Sequence, residues 1–490
     1  MNGTIADATR QGMLPFMVKM GDREEVTGRV GLTLIVEALR ALGVDKEAMQ
    51  RLKVAKRRRG FTVYEKMEAI VLLIAAGGDR VEDIRILGED KGLLRLLGGG
   101  LPSPDALLDL LNGFDDPKVW ENRPNDEKSW VPPETEVLRD LFEINHQVLL
   151  RAADPKATSA TIDHDGTIIE AHKRDALIAY EGTRGYQPLV AVWVEEDLIV
   201  GDEFRDGNVP GNKDPLSSVR RAFEALPERV TKRYFRGDSA DYYVPLLKYL
   251  VEKKIVFTIS ADMSLELRGR CTQVPKEEWI EFERREREVV DIAEVEFVAG
   301  DWPKTSQPLR YVTMRFTPRQ GEFFEDEARG PKHLAVVTNR PKPGERRENP
   351  QRLDEMSAVE LVRWHWQKAG TIEHVHRSMK DELGAGVLPC QKFGANATWF
   401  RLNVLTYNVL TFLKRHALPP RYRNARPKRL RFELFTMPGR LAFHQRQLSV
   451  DASVDPQRVE ELVSARRHLL EFHRALRSEA DDSSVNEDRA

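Results

Sequence analysis

Between residues 159 and 260 strand-like and helix-like stretches alternate, and this alternation limits the fold more than any other feature of the chain. ATIDHDGTIIEA and QPLVAVWVEEDLIVGDEF read as strands, PLSSVRRAFEAL as a helix, and YFRGD as a strand ending at Asp238. YVPLLKYLVEKK is then a helix and IVFTIS a strand. Strands separated by helices require crossover connections, so the expected core is α/β with at least some parallel pairing. Over 264–333 the pattern changes. EWIEFE, VVDIAEVEFVAG and LRYVTMRFTP alternate without helices, as in an antiparallel sheet, and read as a β-rich insertion. The α/β pattern resumes at HLAVVTNR, residues 333–340.

Helical patterns flank this core. Residues 1–125 form a helical region and a DNA-binding candidate. In it GLTLIVEALRALGV and TVYEKMEAIVLLIAAGG place apolar residues at three-and-four spacing and end in glycine. GLLRLLGGGLPSPDALLDLLNGF is helix, glycine turn and helix, with Ser103 as N-cap and Pro104 at the first helical position. This is a candidate helix-turn-helix. Residues 126–150 are linker and leading helix, and 151–263 the first part of the core. Residues 334–415 are its second part, with a long helix over roughly 357–383 stopped by Gly384 and open to a break at Gly370. ANATWFRLNVLTYNVLTFLKRHA is apolar on most faces and is expected to be buried. Residues 416–476 read as a basic helical region and 477–490 as an acidic tail without structure.

Net charge is −2, which by itself points to no polyanion. The distribution does. RLKVAKRRR, residues 51–59, holds six cations and no acid, among them Lys56, Arg57, Arg58 and Arg59. From Lys414 to Arg446 ten Lys or Arg, including Arg426, Lys428, Arg429 and Arg431, stand against Glu433 alone. Two such segments flanking one core fit a nucleic-acid partner better than two solvated faces. Two distant cysteines form no disulfide framework, the N-terminus does not read as a signal peptide, and no apolar run reaches membrane-span length, so a reducing cytoplasm is expected.

The candidate chemistry starts at TIDHDGTII, residues 161–169. Asp163 and Asp165 are two apart on a strand and therefore share a face, where carboxylates suit a hard cation. DHDGT also matches the nucleophile loop of haloacid-dehalogenase-type phosphohydrolases, and GDSAD, residues 237–241, looks like that family's acidic loop. There the second acid follows four residues after the first, whereas Asp241 follows Asp238 by three. TIEHVHRSMKDELGAG places Glu373, His376, Arg377 and Lys380 along one helical face. One carboxylate among cations suits a metal beside phosphates. The Glu-x-x-His pairs EINH and EHVH also occur in di-iron bundles, but the strand-rich middle of the chain is wrong for one.

An Asp in DHDGT, an Asp ending the strand of FRGDSADYY, a β-rich insertion and a helical Glu with Lys seven residues on resemble the DDE transposases of bacterial insertion sequences. The likeness extends to RGYQPLVAVW, LPCQKFGANATWFRLNVLTYNVL and RPKRLRFELFTMPGRL, over roughly residues 60–450. It implies an RNase H-like α/β core carrying the antiparallel β insertion, between an all-helical N-terminal domain and a basic C-terminal region. It also implies cleavage and joining of the inverted-repeat ends of an insertion sequence with two Mg²⁺ (or Mn²⁺) ions. Carried over, the catalytic metal-holding residues are Asp165, Asp238 and Glu373, with Asp163 as fallback, and Lys380 is the basic residue after the Glu. The implied partners are double-stranded DNA, as element ends and target, and further copies of the chain in a homodimer or higher oligomer. Related transposases carry Tyr seven and Arg four residues before the Glu, where this chain has Trp366 and Ala369, with Lys368 as a substitute cation. They also stack an aromatic of the insertion on a flipped base, for which Trp302 is the candidate and Trp279 a packing residue. The rival readings are a Mg²⁺-dependent phosphohydrolase and an inactive DNA-binding protein of transposase ancestry.

Overall fold

The computed structural model describes residues 26–54, 60–124, 128–173, 176–304, 306–318, 330–345, 355–444 and 447–487. Its centre is a nine-stranded sheet: β1 (Ser159–Gly166), β2 (Leu189–Trp193), β3 (Leu198–Glu203), β4 (Lys232–Gly237), β5 (Val256–Ser260), β6 (Ile280–Arg284), β7 (Glu288–Val295), β8 (Arg310–Pro318) and β9 (Lys332–Thr338). The order across the sheet is β6-β7-β8-β9-β5-β4-β1-β2-β3. β1, β2 and β3 form an antiparallel meander, while β4 and β5 run parallel to β1. The remaining strands pair antiparallel, with β9 beside β5.

The β-rich segment is thus not a separate sheet but an extension of the core sheet. The stretch at its start, expected to lack helices, forms a helix at Leu265–Thr272, where Ser264 caps the amide of Leu267 at 3.2 Å.

Helix Glu136–Ala152 leads into β1, Pro215–Glu224 joins β3 to β4, and Val244–Glu252 joins β4 to β5. The long helix, here α1 (Ala358–Arg377), starts at a capping box between Ser357 and Glu360. It is unbroken at Gly370, passes into a wider turn over Ser378–Glu382, and stops at Gly384, whose φ of +75° favours glycine. The first half of α1 packs Leu361 and Val362 against Val290, Ile292, Val312, Met314 and Val336 of the added strands. Its second half lies on β1, so one helix spans both parts of the sheet.

Helix α2 (Phe393–Phe412) is buried from Gly394 to Phe412. It covers the sheet edge: Asn408 receives the Ile199 amide and donates to the Ile199 carbonyl, each at 2.9 Å, as a neighbouring strand would.

After a strand at Val26–Thr27, the described N-terminal residues form helices, and Ser103 caps one of them through the Ala106 amide at 3.3 Å. That helix, Pro104–Asn112, buries Leu107, Leu110 and Leu111 and exposes Asp105, Asp109 and Asn112. The outer face of this helix is acidic and does not suit phosphate contact, while the preceding helix Lys91–Leu97 exposes Lys91 and Arg95.

The C-terminal region differs from its helical reading. Gly439–His444 and Gln447–Ala452 form a hairpin, and Val26–Thr27 joins it as a third strand. RLAFHQRQLSV alternates side to side well enough for a strand pair. The acidic tail, expected without structure, continues the helix Pro456–Glu487; no Gly or Pro interrupts it after Pro456. Among the described residues no helix is long and apolar enough to cross a membrane.

Candidate active site

β1 and β4 are parallel neighbours in a register that pairs Asp163 with Arg236. Two residues further on, the same register brings Asp165 and Asp238 to adjacent strand ends. Asp163 is fully buried and accepts from Arg236 Nε at 2.7 Å and Nη2 at 2.9 Å, and from the Thr371 hydroxyl. Arg236 Nη1 donates to the Trp364 carbonyl at 2.8 Å. The fallback carboxylate is therefore committed to holding α1 on the sheet.

Asp165 is partly open. Its Oδ1 lies 3.7 Å from Lys368 Nζ and its Oδ2 lies 3.7 Å from His376 Nε2, both on α1. Burial, with the charges of Asp238 and Asp241, pushes its carboxyl up to about 6 against the pull of Lys368. Asp238 follows β4, is half-buried, and caps a short turn through the Ala240 amide at 2.9 Å.

Asp241, the other acid of GDSAD, points away into the core. It accepts from His164 Nδ1 at 2.8 Å, while His164 Nε2 meets Ser218 Oγ at 3.2 Å. Gly237 permits this, because a Cβ there would stand 2.5 Å from Asp241 Oδ2. All three groups of this Ser-His-Asp chain are buried, so the serine has no access to a substrate.

α1 carries the rest. Glu373 and Arg377 are exposed. Lys380 turns back, donating to the Ile168 carbonyl at 2.8 Å and lying 3.4 Å from Thr167 Oγ1, and so ties the loop after Asp165 to the helix. Burial and the cations Lys368 and Lys380 hold the His376 imidazolium down to about 3. Among the described residues no three His, Cys, Asp or Glu side chains converge closely enough to hold an ion; the two aspartates are brought together and Glu373 stands apart from them. The donor chemistry nonetheless fits a hard divalent cation: carboxylate oxygens on adjacent strand ends, one carboxyl displaced upward by burial and, after it, by its acidic neighbours.

Other predicted contacts fall elsewhere. Trp302 is 6% exposed, packs with the core and donates Nε1 to the Gln307 carbonyl at 3.1 Å, so its ring is not presented to a base. Trp279 donates to the Val274 carbonyl at 3.3 Å beneath the Arg315 guanidinium. Arg426 pairs with Glu382, Arg431 donates to the Glu382 carbonyl at 2.7 Å, and Arg429 pairs with Glu433 at 2.7 Å. Lys428 is exposed, and its amide donates to Glu382 Oε2 at 2.8 Å. Lys56, Arg57, Arg58 and Arg59 lie outside the described residues. Lys368, raised only as a substitute cation, proves to lie against Asp165. His376 was grouped with its helical face, but its approach to Asp165 depends on the docking of α1, which its sequence spacing does not reveal.

The phosphohydrolase reading fails on this geometry. Its nucleophile candidate, Asp163, is locked to Arg236, and Asp241 of its acidic loop is hydrogen-bonded within the core.

Comparison with curated proteins finds no match. Among solved structures the chain is similar to a piggyBac transposase synaptic complex with hairpin DNA, at 12% identity and TM-score 0.40, over 78% of this chain and 74% of that one. The family described as transposase DDE domain group 1 matches residues 17–469, nearly the whole chain. This protein belongs to that transposase family.

Proposed function

We propose that the protein is a DNA transposase that cuts the inverted-repeat ends of its own insertion element and joins them to a target. The observation that carries this reading is the placement of Asp165 and Asp238 at adjacent parallel strand ends beneath the helix bearing Glu373. The proposed core is RNase H-like, supported by the order β3-β2-β1-β4-β5 with only β2 reversed. Asp165, Asp238 and Glu373 are the residues that would hold Mg²⁺ or Mn²⁺. Bound there, the metal would supply activation of the attacking oxygen and neutralisation of charge at phosphorus.

The chain's own groups do the positioning. Lys368 places a cation beside Asp165, Lys380 fixes the Thr167–Ile168 loop, and Arg236 with Asp163 anchors α1. A groove of about 900 Å³ leads from Asp238 across the added strands; Arg268 and Lys332 in its lining, beside Asp262, offer contacts for a phosphate backbone. The working form is proposed to be a homodimer or larger assembly on DNA.

The test is incubation with DNA flanking the source locus and Mg²⁺. Nicks at the element ends, followed by joined products, are expected. Binding without cleavage in either Mg²⁺ or Mn²⁺ would favour an inactive DNA-binding descendant.

A further inference from the structure

We propose that His376 is a nitrogen ligand of the divalent cation bound at Asp165, which makes it a metal-binding residue in addition to the three carboxylates. This rests on the metal-dependent reading above. His376 lies one turn beyond Glu373 on α1, yet its side chain turns to the sheet instead of to solvent. Its Nε2 is buried and has no hydrogen-bond partner. A buried polar nitrogen left without a partner is costly unless something unseen satisfies it.

The distance to Asp165 Oδ2 shows what would do so. At 3.7 Å it is too long for a hydrogen bond. Two adjacent ligands of a six-coordinate ion, each about 2.1–2.2 Å from it at about 90°, are separated by about 3.0–3.1 Å, so the pair has only about 0.6 Å to close to share one ion. Lys368 approaches the other oxygen of Asp165, so the Oδ2 side is the one shared with the imidazole. A mixed oxygen and nitrogen site favours Mn²⁺ over Mg²⁺ more than carboxylates alone would.

The probe is Mn²⁺ bound to the full chain, read by electron spin echo envelope modulation and by titration. A directly bonded ¹⁴N coupling is expected in the wild type and should vanish in His376→Gln. Mn²⁺ affinity should fall by about tenfold or more, at least matching the effect of removing an outer-shell partner. Mg²⁺ affinity should fall less. Thermal melting checks that the variant folds, and His376→Asn serves if the glutamine does not.

Three results would overturn the proposal. A wild-type ion that depends on Asp165 but shows no nitrogen coupling rejects His376 and leaves the carboxylate site standing, as does a coupling that survives in both variants. An absence of any Mn²⁺ site sensitive to Asp165→Asn defeats the metal-dependent reading itself, and this inference with it.

Discussion

Asp163 and Asp165 face the same helix from one strand, yet Arg236 grips the first at 2.7 and 2.9 Å while the second accepts from the neighbouring Gly166 amide at 3.0 Å and meets the helix through the tips of Lys368 and His376 at 3.7 Å. Of two carboxylates two residues apart, one thus anchors α1 and the other is left for the chemistry proposed above. Replacing Asp163 by Asn strands a buried guanidinium and is expected to cost about 3–5 kcal/mol of stability. The double replacement Asp163→Leu with Arg236→Met should recover much of that in chemical denaturation. A mild effect of the single change, with cleavage lost, would instead move Asp163 into the catalytic set.

Asp165→Asn, Asp238→Asn and Glu373→Gln should each lower strand cleavage by about a hundredfold or more, because each removes charge from a site worth several kcal/mol of transition-state stabilisation. End binding, followed by gel shift, should persist. Normal cleavage by Glu373→Gln would remove that residue from the site.

Lys380→Met releases the loop after Asp165 from the wider turn that follows α1. Slower cleavage is expected, with the Mn²⁺ affinity of the protein unchanged. Full cleavage with an altered loop would show that the tether is dispensable.

His365 is buried between Thr258 and Ser260, each at 3.0 Å. Burial, with Lys368 and Arg236, holds its pKa down to about 3. Below the ordinary value of about 6.5 the unfolded chain takes up a proton that the folded chain refuses. Its contribution is therefore complete above about 6.5 and declines as pH falls towards 3, by at most about 1.4 kcal/mol per pH unit. His376 adds a loss of the same sign. His365→Gln should make the fall in stability between pH 6 and 4 shallower, and an unchanged slope would contradict this assignment.

DNA affinity should drop steeply with salt. Neutralising Arg57, Arg58 and Arg59 together should reduce the log–log slope by about three if each contacts a phosphate. A constant slope would make that run a solvated face.

Much of this architecture was legible in the residues. Strand and helix alternation from 159 to 260, the Ser103 cap and the burial of α2 follow from local patterning and recur in the structure. What was illegible depends on partners far away in sequence. Nothing near Asp163 announces Arg236, 73 positions on, so the DHDGT motif alone leaves Asp163 as a fallback ligand behind Asp165. The added strands read as an insertion because alternation reveals a strand but not its neighbour; only the pairing of β9 with β5 shows that they extend one sheet. Trp302 beside Pro303 looked available to a base, and it is the carbonyl of Gln307 and the surrounding core that occupy it.

The pairing of Val26–Thr27 with the hairpin at Gly439–Ala452 bears on how the chain is made. During synthesis this strand, the earliest among the described residues, has no partner until the ribosome has passed Ala452, by which time the nine-stranded sheet is already outside the exit tunnel. Closure of this seam is then among the last events of folding, and a chain released early, short of the hairpin, lacks both this seam and the helix Pro456–Glu487, whose Arg466 pairs with Glu37.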